Sequence, residues 1–367
     1  MKIGLLGFGV VGKGVYDLLQ GSQCQITKVL CRRELSLPDA QVTHDFADIL
    51  QDGTIDTVVE VMGGLHPALE YVQDAIRAGK HIVTANKALI AAYYDELIPL
   101  AEKMGVSLRC TAAVGGGIGW LSNLERAKRC QKIETISGIM NGTCNYILDA
   151  MTRLGLSYGD ALKQAQKLGY AEADPTADVE GYDTWNKLII SANIAFGVSL
   201  DSALVPVTGI SRIQAEDVEH FKAHGLVCKL MATATENSAY VQPTLIPQGQ
   251  PEAAVPANYN HISLIGSATG KQSFYGQGAG RYPTAYNVVQ DCADILAGTG
   301  FYCAAGEKRQ VTNKTKLRYY IRGGKALPCN VLEHWGDAVV TEPVSINAIH
   351  AWLKENPHAF IAALAEM

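Results

Sequence analysis

The opening stretch of the chain alternates between short apolar runs and amphipathic segments. Apolar runs at residues 2–6, 25–30, 57–61, 81–84 and 107–110 have the length of strands. Helical patterns at 68–78 and 93–103 lie between them, and another runs from the first glycines to Leu18 and Leu19. Strand alternating with helix predicts an α/β fold, a Rossmann-type doubly wound parallel sheet. From about residue 125 the rhythm changes: 133–140 alternates like a strand, 143–153, 157–168 and 182–196 read as helices, and 241–246 and 262–268 as strands. This predicts a second, mixed α+β domain. A glycine-rich turn at 276–280 precedes a helix predicted over 285–296, with Thr284 as its N-cap, packing back on the first domain. The tail shows one strand pattern at 317–321 and two short helical patterns after Ser345. The expected division is a dinucleotide-binding domain over 1–125 completed by a helix within 284–305, a catalytic and dimerisation domain over 126–283, and a short tail over 306–367. A length of 367 residues suits two domains.

Charge narrows the class of partner. Lys and Arg total 31 against 36 Asp and Glu, a formal charge of -5, and no basic block is present to neutralise a run of phosphates, which argues against nucleic acid. With 48% hydrophobic and 18% charged residues the chain reads as soluble and globular. Two segments imitate membrane signals. The apolar start is broken by Gly7, Gly9, Gly12 and Gly14, with no small-residue cleavage site after it, which argues against a secretory leader. The stretch 188–207 contains Ser191, Asn193, Gly197, Asp201 and Pro206, so a buried helix and a loop explain it better than a bilayer span. Nine scattered cysteines without a CxxC read as reduced thiols of a cytoplasmic protein. His220 and His224 share a helix face and invite a metal, but no Cys, Asp or Glu completes a set, and a surface helix is the plainer reading.

The chemistry concentrates in a few places. Gly7-Phe8-Gly9-Val10-Val11-Gly12 follows a strand and opens a helix, the context in which GxGxxG binds a dinucleotide. Gly7 makes the tight turn, Gly9 lets the backbone approach a pyrophosphate, Gly12 lets helix and strand close up, and the helix N-terminus faces the anion. Gly63 and Gly64, after the strand at 57–61, join this cofactor set. At the end of the second strand stand Arg32 and Arg33 with no acid before Glu34, which favours NADP over NAD, the other reading being solvated surface charge. Lys87 follows the strand at 81–84, at the end where ligands bind in such sheets. The segment from Gly169 to Asp183 carries Glu172, Asp174, Asp178, Glu180 and Asp183 and no base. The next positive charge, Lys187, lies one turn beyond Asp183 on the same helix face. A solvated ion pair is the plain reading. The helix is apolar on nearly every side after Lys187, however, so the pair sits at the mouth of a core, where a site is favoured.

The motifs GFGVVG at 7–12, TANKALIA at 84–91, AVGGGI at 113–118, GIMNGTCNYIL at 138–148, GYAEADPTADVEGYDTWNK at 169–187 and GAGRYPTA at 278–285 together resemble homoserine dehydrogenase, over about residues 1–305. The resemblance implies reversible NAD(P)H-dependent reduction of L-aspartate 4-semialdehyde to L-homoserine, in threonine and methionine biosynthesis. It implies Lys187 as catalytic lysine, Lys87 as a second active-site lysine also near the cofactor, and substrate contacts from Glu172, Asp183 and Asp178. Gly169, Gly278 and Gly280 fall where the family approaches its cofactor. It also implies a monovalent cation, sodium, held by backbone oxygens of Thr111, Val114, Gly116 and Ile118, and a homodimer formed through the second domain. The chain departs from the family with Thr111 in place of Glu, Gly119 in place of Pro and Cys144 in place of Thr. The tail reads as a degenerate ACT-like regulatory segment, short and without the continuation expected after 317–322. Two other readings remain open at this point: a related dehydrogenase for another small amino-acid aldehyde, and a nucleotide-sensing regulator. The latter predicts a DNA- or protein-binding module, and no basic helix-turn-helix is visible.

Overall fold

The computed structural model describes residues 1–299 and 306–365. The chain opens with β1 (Lys2–Leu6), α1 (Val10–Leu19), β2 (Gln25–Leu30), β3 (Gln41–Thr43), α2 (Ala47–Leu50), β4 (Thr57–Glu60), α3 (Ala68–Arg77) and β5 (His81–Thr84). It continues with α4 (Lys87–Met104), β6 (Leu108–Arg109), α5 (Trp120–Lys128), β7 (Ile133–Ile139), α6 (Gly142–Leu154), α7 (Tyr158–Lys167), α8 (Thr176–Val179) and α9 (Tyr182–Phe196). Then follow β8 (Val198–Leu200), α10 (Ala215–Ala223), β9 (Leu226–Thr235), β10 (Ala239–Pro247), β11 (Tyr259–Gly266), β12 (Gly270–Gln277) and α11 (Arg281–Leu296). The last elements are β13 (Glu307–Arg309), β14 (Lys316–Leu317), β15 (Tyr319–Arg322), β16 (Val331–Trp335), β17 (Ala338–Thr341), β18 (Val344–Ser345), α12 (Ile346–Glu355) and β19 (Phe360–Leu364).

Two compact units emerge. The first comprises Met1–Cys130, Asn193–Ser199 and Gly276–Lys308, and the second Gln131–Ala192, Leu200–Tyr275 and Arg309–Met367. The first is built on a six-stranded parallel sheet in the order β3-β2-β1-β4-β5-β6. Its strands are largely buried, and Ile3, Leu5, Val29, Val59 and Val83 share one core with Ala285, Val288 and Cys292 of α11. Strand register aligns Leu30, Leu6, Glu60 and Thr84 across the sheet. The loops leaving β2, β1, β4 and β5 therefore emerge from one edge, and the strand order reverses between β1 and β4. Ligands bind at such a switch point.

The second unit is built on a nine-stranded sheet in the order β12-β11-β7-β9-β10-β19-β15-β17-β16. Strands β15, β16, β17 and β19 continue the same sheet as β7 and β9–β12, because β19 pairs in parallel with β10 and antiparallel with β15, while β18 pairs with β14 apart from it. Trp352, Leu353, Ile349 and Ile361 pack with Tyr319 and Ile321 in a core of their own.

Several expectations need correction. The N-cap of α11 is Gly280, and Thr284 lies inside the helix, its N–H donating to the Gly280 carbonyl. The helix ends at Leu296, and 300–305 of the expected span lie outside the described residues. Of the two helical patterns after Ser345 only α12 is a helix. The second is β19, a short apolar run whose periodicity cannot tell helix from strand and whose partners on both sides decide. The helix pattern at 93–103 is the latter part of α4, which starts at Lys87 and breaks helical geometry at Tyr93. Strand β9 carried no clear signal because Lys229 interrupts its apolar run. Its ammonium is fully buried, donating to Asn145 Oδ1 at 2.8 Å and to the Val255 carbonyl at 2.7 Å, and burial pushes its pKa down to about 8. His220 lies on α10 and His224 at its C-cap, as the plainer reading of a helix had it. His220 meets the Tyr320 hydroxyl, His224 stacks on Trp335 at 3.6 Å, and no ligand cluster occurs among the described residues.

Candidate active site

The glycine loop follows from backbone geometry. Gly7 has φ +99°, a region favouring glycine, and its N–H donates to the Leu30 carbonyl at 2.9 Å. A side chain at Gly7 would lie 2.9 Å from the Val61 carbonyl oxygen, and one at Gly12 would collide with the Gly7 carbonyl. Around Gly9, by contrast, no described atom outside residues 8–10 lies within 4 Å of where a Cβ would stand. The first bond of α1 runs from the Lys13 N–H to the Gly9 carbonyl. The N–H groups of Val10, Val11 and Gly12 therefore have no acceptor within the helix, and they form an anion cradle at its positive end. Phe8 is buried, and its carbonyl accepts from Arg33 Nη2 at 2.9 Å. Arg32 is exposed and makes no hydrogen bond or ion pair among the described residues.

Beside this loop lies a residue that the sequence reading missed. Glu60, fully buried at the end of β4, accepts from the Met62 N–H at 2.8 Å, the Gly63 N–H at 3.4 Å and the Thr84 hydroxyl at 2.6 Å. Thr84 in turn accepts from the Asn86 N–H, and the Asn86 amide donates to the Gly64 carbonyl at 2.7 Å. Gly63 and Gly64, both at positive φ, are thus tied to the head of α4. Asn86 caps that helix by accepting from the Leu89 N–H, and Lys87 is its first residue, half-buried. Burial pushes the Glu60 carboxyl up. The only signal was an acid closing an otherwise apolar strand.

The second unit assembles a buried polar cluster. Lys187 and Asp183 on α9 are 7% and 6% exposed, and the Lys187 ammonium donates to Asp183 Oδ2 at 2.7 Å and to the Met140 carbonyl at 2.6 Å. Asn141, between β7 and α6, donates from one amide nitrogen to Asp183 Oδ2 at 2.8 Å and to Asp178 Oδ1 at 2.6 Å. Its amide oxygen meanwhile caps α6 through the Cys144 N–H. Burial, and then the neighbouring Asp183 carboxylate, push the Asp178 carboxyl up. Asn141 was also missed, although an Asn just ahead of a helical pattern is an N-cap signature. An ammonium has three donors, and two are engaged among the described residues, so Lys187 keeps an N–H for a ligand. Glu172 does not join the cluster. It is exposed, and among the described residues only its backbone carbonyl is engaged, by the Gln166 amide. Gly169, at φ +76°, ends the turn after α7.

Back in the first unit, the turn 111–118 leans on α11. A side chain at Gly116 would strike the Gly278 backbone, and Gly280, at φ +127°, starts α11. Asp291 is buried, accepts from the Thr111 N–H at 2.9 Å and hydroxyl at 2.7 Å, and is pushed up to about 7 by burial.

The homoserine dehydrogenase family model matches residues 120–293, and the model of that family's NAD-binding domain matches residues 7–111. The homoserine dehydrogenase of Bacillus subtilis is 40% identical over 315 residues, covering 81% of this chain and 73% of that protein. That of Synechocystis is 41% identical over 317 residues, covering 81% and 73%. The crystal structure of a homoserine dehydrogenase from Thiobacillus denitrificans superposes with a TM-score of 0.87 at 30% identity, covering 100% of this chain and 98% of that one. The chain belongs to the homoserine dehydrogenase family. It is accordingly an NAD(P)-dependent oxidoreductase acting on a CH–OH group of a small molecule, which sets aside the nucleotide-sensing regulator.

The homoserine dehydrogenase cofactor fits this chain. The open space at Gly9 and the donor array at Val10, Val11 and Gly12 suit a pyrophosphate, and the neighbouring edge presents Arg32, Gly63 and Gly64. The monovalent cation fits poorly. Of the four backbone oxygens the resemblance assigned to it, those of Gly116 and Ile118 already accept from the Asn287 side-chain amide. No helix among the described residues is long and apolar enough to cross a membrane.

Proposed function

We propose that this protein performs its family's reaction, the reversible reduction of L-aspartate 4-semialdehyde to L-homoserine in threonine and methionine biosynthesis, with Lys187 as proton donor. The bound nicotinamide supplies a hydride equivalent. As the aldehyde carbon is reduced its oxygen gains negative charge and needs a proton, and the free N–H of Lys187 is a donor held out of bulk water. That buried, doubly anchored ammonium is the observation that carries the reading. Asp183 and the Met140 carbonyl hold the amine in one orientation. Asp183 and Asp178, braced by Asn141, offer acceptors for the substrate's ammonium and hydroxyl groups, with Glu172 as a further acid on the exposed loop. Lys87 is assigned to orienting or polarising the substrate.

NADP is preferred over NAD in this reading, because Arg32 stands free at the end of β2 with no acid beside it. Gly169, Gly278 and Gly280 complete the cofactor contacts. No step is routed through a cation. Residues 1–125 with α11 are assigned to dinucleotide binding, 126–283 to catalysis and homodimer formation, and the tail to a reduced ACT-like segment, in a cytoplasmic enzyme. The test is NADP reduction by L-homoserine, repeated with NAD and with Lys187→Ala. Loss of about a hundredfold or more in kcat at an unchanged melting temperature is expected. Wild-type inactivity with both cofactors in both directions, or an alanine variant near full rate, overturns the assignment.

A further inference from the structure

The carbonyls of Gly116 and Ile118 converge on one side chain. Asn287, in the first half of α11 and 2% exposed, donates from its amide nitrogen to the Gly116 oxygen and, at 3.2 Å, to the Ile118 oxygen. The Ile118 oxygen also accepts from the Trp120 N–H at 2.6 Å, so both of its lone pairs are used. One turn along α11, Asp291 takes the N–H and the hydroxyl of Thr111, the residue standing where the family resemblance places a Glu. The Thr111 carbonyl accepts from the Val114 N–H at 3.4 Å. Three of the four positions expected to serve a cation are therefore engaged by the protein itself.

We propose that the Asn287 amide replaces the monovalent cation in this protein, so that the turn 111–118 is held without sodium or potassium. An amide NH2 offers two positively polarised hydrogens, one to each carbonyl, which is the electrostatic partner that a cation would provide. It is delivered by α11 at a fixed place, whereas an ion must be bound from solution. The opposite amide orientation would set Oδ1 against two carbonyl oxygens in a buried place, which is tolerable only with a cation between them. That alternative is what the experiment separates. Because its readout is thermal stability, it does not depend on which substrate the enzyme turns over.

Alkali ions are removed from the full-length protein, and melting temperatures are compared in sodium, potassium and tetramethylammonium chloride at equal ionic strength, for the wild type and for Asn287→Ala. The wild type is expected to melt within about 1 °C in all three salts, since an ion that does not bind the native state cannot shift its stability. Asn287→Ala leaves the buried Gly116 carbonyl without its donor and the Ile118 carbonyl with the Trp120 N–H alone, melts several degrees lower in tetramethylammonium, and regains part of the loss in sodium or potassium by mass action. A wild type selectively stabilised by sodium or potassium overturns the proposal. So does an alanine variant as stable as the wild type, or one whose loss neither ion restores. Should the variant fail to fold, the wild-type comparison decides alone.

Discussion

Arg32 and Arg33 are neighbours at the end of β2 with unlike surroundings. Both are exposed, but Arg33 reaches back to the Phe8 carbonyl and so belongs to the glycine loop, whereas Arg32 is unengaged among the described residues. A guanidinium in that position pairs with a 2′-phosphate and adds nothing for a free hydroxyl. Arg32→Ala is therefore expected to raise KM for NADP by about tenfold or more while leaving KM for NAD within about twofold. Steady-state kinetics with both cofactors checks this, and an equal change in the two would reassign the arginine to the surface. The same scale shows why the acidic segment tolerates its own charge. Asp178 and Asp183 share the Asn141 amide, Asp183 takes the Lys187 ammonium, and burial pushes the Asp178 carboxyl up, so the two need not repel at full strength.

Helix α1 is set by where it can approach its neighbours. Gly12 meets the Gly7 carbonyl, and at Gly14 a Cβ would lie 2.8 Å from the Arg281 carbonyl and 2.9 Å from the Ala285 methyl of α11. Gly9 meets nothing described. These positions separate packing from binding. Gly12→Ala should push α1 off the β1 turn, lowering the melting temperature by several degrees and weakening NADP binding about tenfold or more. Gly9→Ala should melt like the wild type and still lose cofactor affinity, because its methyl enters only the ligand's space. Calorimetry with and without NADP distinguishes the two, and a Gly9→Ala variant that binds normally would remove this turn from the cofactor site.

Across the second unit, α12 and β19 are integral to the sheet, and this shows in acid stability. His350 of α12 is buried between the Thr208 hydroxyl and the Gln242 side chain, and burial, with Lys354 nearby, pushes its pKa down to about 4. The unfolded chain has an ordinary histidine near 6.5, so between about pH 4 and 6.5 the unfolded state binds the extra proton. Stability from this group is present above that window and is lost as pH falls through it. His350→Gln should flatten the acid limb of a denaturant-midpoint profile by up to one proton's slope relative to wild type. Asp291, pushed up to about 7, acts with the opposite sign, its contribution falling as pH rises toward 7, so the difference between proteins is the informative quantity. An unchanged slope in the variant would mean that His350 is solvated.

Much of the architecture is local in origin. Strands β1, β2 and β5 follow largely apolar runs of strand length, α9 a helix apolar on nearly every side after Lys187, and the glycine spacing after β1 requires a turn only glycine can make. The pairing of Asp183 with Lys187 was legible too, since residues four apart share a helix face. Tertiary structure decided whatever depended on partners distant in sequence. Glu60 and Asn141 became site residues only when β4 met β5 and when α6 met α8 and α9. Glu172, equal to its neighbours as a letter, fell outside the cluster. Lys229 is buried because Asn145 and Val255 receive it, and β19 is a strand because β10 and β15 lie on either side. Periodicity records which face of an element is apolar. It carries no information about which carbonyl a buried amide or ammonium will meet, and in this protein that meeting sets the chemistry.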